Sequence, residues 1–119
     1  MIRVLLAEDE AVVCLDLEDA LTEAGLPVLG SFSHCTAARV WLDQNTPDVA
    51  VLDVMLADGC CSEVARVAWR GVPLVFLSAG MDHPNMRAEF EGAIWFEKPV
   101  ECTWVAQTLS GLVDDAAFV

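Results

Sequence analysis

The chain has 119 residues, 55% of them hydrophobic, and its 19 acidic and 6 basic side chains give a formal net charge of −13. This length and hydrophobic content predict one folded domain over residues 1–119 and exclude a disordered chain. The surplus of acid would repel phosphate backbones and anionic lipids, so neither nucleic-acid nor membrane binding is expected. The sequence has no apolar run long enough to span a bilayer and no recognisable signal peptide, which predicts a cytoplasmic location.

Short apolar runs alternate along the chain with segments of helical period. The apolar runs predict five strands, at residues 2–7, 26–32, 49–53, 73–77 and 93–97. Apolar residues spaced by three or four predict helices over residues 10–24, from a cap at Ser33 to a point before Pro47, around residues 64–68, and over residues 101–114. In the last helix Trp104 and Val105 are expected on the packed side. Between the last two strands, only residues 85–90 carry a weak helical signal.

The predicted strands are apolar throughout, which is typical of a parallel sheet that helices cover on both faces. Five alternating units of strand and helix therefore predict an α/β fold with a doubly wound, five-stranded parallel sheet. The flavodoxin-like strand order 2-1-3-4-5, with a short or irregular fourth helix, fits a chain of this length. Functional sites in such sheets form beyond the carboxyl ends of the strands.

Polar residues stand at those carboxyl ends. Glu8 and Asp9 follow the first strand, Asp53 closes the third, Ser78 closes the fourth and Lys98 follows the fifth. The first and third strands are neighbours in the predicted order, so the three carboxylates should converge and repel one another unless a cation or proton intervenes. An all-oxygen ligand set favours Mg²⁺. With the only lysine of the chain and a hydroxyl nearby, the set has the groups that phosphoryl transfer to a carboxylate requires.

Each of these residues also has an ordinary structural explanation when it is taken alone. A strand-end Asp53 often caps a turn, Glu8 or Asp9 could cap the first helix, and Lys98 could be a surface charge. Their common position at one edge of the sheet favours the chemical interpretation. The five cysteines are expected to be reduced, and the two histidines are isolated, so no zinc site is indicated.

The sequence resembles the receiver domain of bacterial two-component response regulators, in particular the stand-alone type that has no output domain. The resemblance covers the whole chain and rests on residues 4–10 (VLLAEDE), 51–56 (VLDVML), 75–80 (VFLSAG) and 98–99 (KP). It implies a signalling protein that is not an enzyme. Such a protein accepts a phosphoryl group from a histidine kinase or phosphotransfer protein and acts on a downstream partner by protein–protein interaction, as a monomer or weak homodimer.

The resemblance also implies a role for individual residues. Asp53 would be the phosphoacceptor. The Mg²⁺ ligands would be Glu8, Asp9, Asp53 and the backbone carbonyl of Met55.

Three further positions follow from the same resemblance. Ser78 and Lys98 would each contact a phosphoryl oxygen, and a cis peptide would precede Pro99. Trp95 matches the aromatic residue that rotates when such domains are switched, although other aromatic residues are commoner there.

Two alternatives to a phosphorylated switch stay open. A receiver-like interaction module that works without phosphorylation would have the same fold. A hydrolase with an aspartyl intermediate would be an enzyme, but the familiar D-x-D-x-T form is absent because Val54 and Met55 follow Asp53.

Overall fold

The computed structural model describes residues 2–69, 71–80 and 83–117. Its strands are β1 (Val4–Ala7), β2 (Val28–Phe32), β3 (Val49–Asp53), β4 (Met55–Leu56), β5 (Gly59–Cys60), β6 (Leu74–Ser78) and β7 (Ile94–Glu97). Its helices are α1 (Ala11–Glu23), α2 (Cys35–Gln44), α3 (Ser62–Ala68), α4 (Pro84–Glu89) and α5 (Cys102–Ala117). Every strand and helix that the sequence predicts is present, and the ends differ by a few residues only.

The five long strands form one parallel sheet in the order β2-β1-β3-β6-β7. Counted without β4 and β5, this is the order 2-1-3-4-5, so the predicted fold class is confirmed. The strands β4 and β5 form a separate antiparallel hairpin directly after β3. The sequence pattern did not predict this hairpin, because two-residue strands show no periodicity.

The apolar strands supply two cores, one on each face of the sheet. Leu5, Leu52 and Phe76 belong to the core beneath α2, α3 and α4. Their chain neighbours Leu6 and Val51 belong to the opposite core, beneath α1 and α5. Since successive side chains of a strand point to opposite faces, a sheet covered on both sides needs apolar residues at every position.

The start of α2 differs from the prediction. Its N-cap residue is His34, which makes no cap hydrogen bond, and the Ser33 hydroxyl bonds the His34 ring instead. The carboxylate of Asp58, in the turn of the hairpin, accepts hydrogen bonds from the backbone N–H of Cys35 at 2.6 Å and of Thr36 at 3.1 Å. A residue distant in sequence therefore caps α2, and the residues next to the start of the helix give no sign of this contact.

The last two helices give one confirmation and one correction. The fourth helix is short, six residues from Pro84 to Glu89, as the sequence predicts. In α5 Val105 is buried, but Trp104 is 63% exposed, so its predicted place on the packed side is wrong. The peptide before Pro99 is cis. Within the described ranges, no helix combines the length and apolar character that crossing a membrane would require.

Candidate functional site

The carboxyl edge of the sheet brings four acidic side chains together. Strands β1 and β3 pair in register up to the residues just before Glu8 and Asp53, so these two side chains lie next to each other. One ligand oxygen from each of Glu8, Asp9, Glu10 and Asp53 lies within 4.8 Å of the others. Glu8 is 2% and Asp53 5% exposed, whereas Asp9 and Glu10 face the solvent. The predicted convergence of the three carboxylates is therefore observed.

A single ammonium group contacts three of these acids. Lys98, the first residue after β7, donates from Nζ to Glu8 Oε1 and to Asp53 Oδ2, both at 2.8 Å. A third hydrogen bond, of 2.7 Å, reaches Glu10 Oε1. The backbone N–H of Lys98 donates to the carbonyl of Ser78 at 2.7 Å, which continues the pairing of β6 with β7. All three donors of the ammonium are thus in use.

Shared between several anions, one cation does not neutralise the site. Burial, together with the neighbouring Asp53 carboxylate, raises the pKa of Glu8 to about 7, although Lys98 opposes this shift. Burial by itself would lower the pKa of Lys98, but its hydrogen bonds to the three acids, Asp53 first, raise that pKa above its ordinary value. An isolated ion pair would lower the pKa of its acid. The pKa of Glu8 is raised instead, because this carboxyl group is buried beside a second carboxylate.

The residues present fit a hard divalent cation. Oε2 of Glu8 is buried and has no hydrogen-bond partner among the described residues, which is unfavourable for a carboxylate oxygen unless a cation or a proton lies beside it. Opposite ligands of an octahedral Mg²⁺ are about 4 Å apart, close to the spacing of the acidic cluster. Because Asp9 is exposed, the site is open to the water ligands that Mg²⁺ retains.

Comparison with known proteins shows which proteins this chain resembles. No protein-family model matches the sequence. The transcriptional regulatory protein PdtaR of Mycobacterium tuberculosis is 36% identical over 79 residues, which cover 65% of this chain and 38% of PdtaR. The chain therefore spans well under half the length of that relative.

Solved structures match over nearly the whole chain. A response regulator receiver protein from Sinorhizobium medicae has 29% identity and a TM-score of 0.80, over 95% of this chain and 94% of its own. A CheY-like response regulator receiver domain protein from Methanospirillum hungatei has a TM-score of 0.84 at 16% identity, over 97% and 95%, which is a likeness of fold. The chain has the fold of response regulator receiver domains and is similar to them over nearly its whole length. The resemblance to receiver domains, stated from the sequence motifs, is confirmed.

Two further residues to which the resemblance assigns a role lie near Asp53. Ser78 ends β6, the strand adjacent to β3, and is 4% exposed. The backbone N–H of Met55 donates to Asp53 Oδ1 at 3.2 Å, while the side chain of Met55 is largely exposed. Contact between Met55 and the acidic site therefore runs through its backbone.

Trp95 lies in β7 with its ring packed from several directions. The Phe76 ring lies at a centroid distance of 4.7 Å, and the His83 ring stacks at 6.0 Å. The guanidinium carbon of Arg87, in α4, is 4.2 Å from the centre of the Trp95 ring. Trp95 thus links the sheet to α4.

Glu10 is the residue that the sequence analysis missed. From the sequence it is assigned to the start of the first helix and to the motif of residues 4–10, with no chemical role. Its carboxylate nevertheless contacts Lys98, 88 positions away in the sequence. The sequence did contain a signal for this contact. Glu10 is the third consecutive acidic residue after Glu8 and Asp9, in a chain that has one lysine.

Proposed function

We propose that this receiver domain accepts a phosphoryl group on Asp53 in a Mg²⁺-assisted reaction. The donor would be a histidine kinase or a phosphotransfer protein, and the phosphorylated domain would act by binding another protein. The observation that supports this best is the buried Asp53 carboxylate, hydrogen-bonded to Lys98 and beside a Glu8 oxygen that has no partner among the described residues.

In the proposed reaction, a carboxylate oxygen of Asp53 attacks the phosphorus of a phosphohistidine or an acyl phosphate. A bond between Asp53 and phosphorus forms while the bond to the leaving group breaks, and the leaving group departs with that electron pair. Lys98 holds Oδ2 of Asp53 at 2.8 Å and the Met55 N–H holds Oδ1 at 3.2 Å. Both oxygens are therefore oriented before a donor arrives, which reduces the entropy lost on reaching the transition state.

The chain has groups in place for the charge that the reaction adds. The Lys98 ammonium would move from the Asp53 carboxylate to an oxygen of the new phosphoryl group, and the buried Ser78 hydroxyl would bond another. Bound Mg²⁺, held by Glu8, Asp9, Asp53 and the Met55 carbonyl, would supply further positive charge against the phosphoryl oxygens.

A signal would leave the site through elements that contact it. Movement of Ser78 and of Trp95 would change the packing of Trp95 on Arg87, and with it the surface around α4. The net charge of −13 favours a downstream partner with a basic surface. As part of the same proposal, the domain works in the cytoplasm as a monomer or weak homodimer and is not itself an enzyme.

Intact-protein mass spectrometry after incubation with acetyl phosphate and Mg²⁺ tests the proposal, with a phosphorylated phosphotransfer protein as a second donor. We expect the wild type to gain one phosphoryl group and Asp53→Asn to gain none. Asp43→Asn is the matched control, because Asp43 is an exposed aspartate in α2 that pairs only with Arg39 in the described structure. Chelation of Mg²⁺ should prevent the gain. An unmodified wild type with both donors, or a modified Asp53→Asn, would reject the proposal.

The same proteins separate the two alternatives. A module that works without phosphorylation would keep its full signalling output in cells when Asp53 is replaced by alanine. A hydrolase would release many phosphates per chain from a small phosphate ester. We expect neither result, only the slow hydrolysis of the domain's own aspartyl phosphate.

A further inference from the structure

Glu10 is the one partner of Lys98 to which the proposed reaction gives no task. Its Oε1 lies 2.7 Å from Lys98 Nζ, and its side chain is 59% exposed. Its backbone stands at the N-cap of α1, where Ser, Thr, Asp or Asn side chains commonly accept hydrogen bonds from the first turn. The Glu10 carboxylate makes no such bond. It points to Lys98 instead.

The other two partners of Lys98 would change during phosphorylation. Asp53 would carry the phosphoryl group, and Glu8 would face the metal. Glu10 would do neither, so its contact with the ammonium would persist while the phosphoryl group approaches. The negative charge of Glu10 would then repel the incoming phosphoryl group. It would also hold the Lys98 ammonium, which the phosphoryl oxygens need.

We propose that Glu10 is a positioning residue that competes with the phosphoryl group for the Lys98 ammonium, and so restrains the phosphorylation of Asp53. This inference rests on the proposed function of the site. Glu10 acts through Lys98 and is itself neither nucleophile nor assigned metal ligand. Since the pair is partly exposed, its removal should accelerate phosphorylation only moderately, by about twofold to fivefold.

The test compares rate constants for phosphorylation by acetyl phosphate at saturating Mg²⁺. Glu10→Gln should be faster than the wild type at low salt, and the difference should shrink at high salt because exposed charges are screened. Glu23→Gln changes the net charge equally at the far end of α1 and should keep the wild-type rate. Glu10→Asp retains the charge on a shorter side chain and should lie between the wild type and Glu10→Gln.

A merely structural role at the start of α1 predicts a different pattern. Asparagine is a strong N-cap residue, so Glu10→Asn would behave like the wild type if the helix start were what matters. Competition for Lys98 requires Glu10→Asn to be accelerated as much as Glu10→Gln. A wild-type rate in either variant, a slower rate, or an acceleration that salt does not reduce would overturn the inference. A wild type that accepts no phosphoryl group would instead refute the proposed function, and this role with it.

Discussion

Without Mg²⁺, the folded domain should lose stability as the pH rises from about 5 to about 8, because Glu8 must ionise in a buried position. Burial and the adjacent Asp53 carboxylate raise the pKa of Glu8 from 4.5 to about 7 in the folded protein. Between these values the folded state keeps a proton that the unfolded state has released. Unfolding therefore releases a proton, and the free energy of unfolding falls with rising pH.

The size of the loss follows from the two pKa values of Glu8. A shift from 4.5 to about 7, at about 1.4 kcal/mol for each pKa unit, corresponds to roughly 3 kcal/mol. The loss begins as pH passes the unfolded value and is complete just above the folded value. Because whole domains have only about 5–15 kcal/mol of stability, this fraction is easily measured.

Urea unfolding, followed by circular dichroism in the presence of a chelator, measures this dependence. Glu8→Gln removes the ionisation and should flatten the profile over the same pH range. Asp19→Asn, an exposed change in α1, should leave the slope as it is. Added Mg²⁺ should restore stability near pH 8, because a cation then balances the carboxylate in place of the proton. A wild type whose stability is constant or rises over this range, or a Glu8→Gln variant that keeps the slope, would refute the reasoning.

Three other perturbations test separate parts of the structure. Gly30→Ala would place a Cβ 2.9 Å from Trp41 Cε2 and should lower the free energy of unfolding by about 1–3 kcal/mol in urea titrations. The control is Gly111→Ala, whose added Cβ would meet no described atom within 4 Å beyond the adjoining helix backbone and should not destabilise the protein. Asp58→Ala removes the cap of α2 and should lower the melting temperature by about 3–6 °C. In the wild type, hydrogen bonds from the α2 amides hold the pKa of Asp58 below its usual range. The stability that the cap contributes should therefore be lost only in strong acid. Lys98→Met removes a competing cation and should tighten Mg²⁺ binding by about tenfold in calorimetry, while it slows phosphorylation.

The sequence alone determined the architecture and most of the site. Short continuous apolar runs favour strands that are buried on both faces, and their alternation with helices favours a parallel sheet. Once that sheet is assumed, the polar residues that end its strands must lie at one edge. This is why the sequence is enough to predict that one edge of the sheet carries Glu8, Asp9, Asp53, Ser78 and Lys98.

Only the tertiary structure decided which partners those side chains and their neighbours choose. Glu10 could have capped α1, and Asp58 could have served only its own turn, but they contact Lys98 and the start of α2. Trp104 had the spacing of a packed residue and faces outward. In each case several local arrangements differ by about 1 kcal/mol or less, and contacts between distant parts of the chain select one of them.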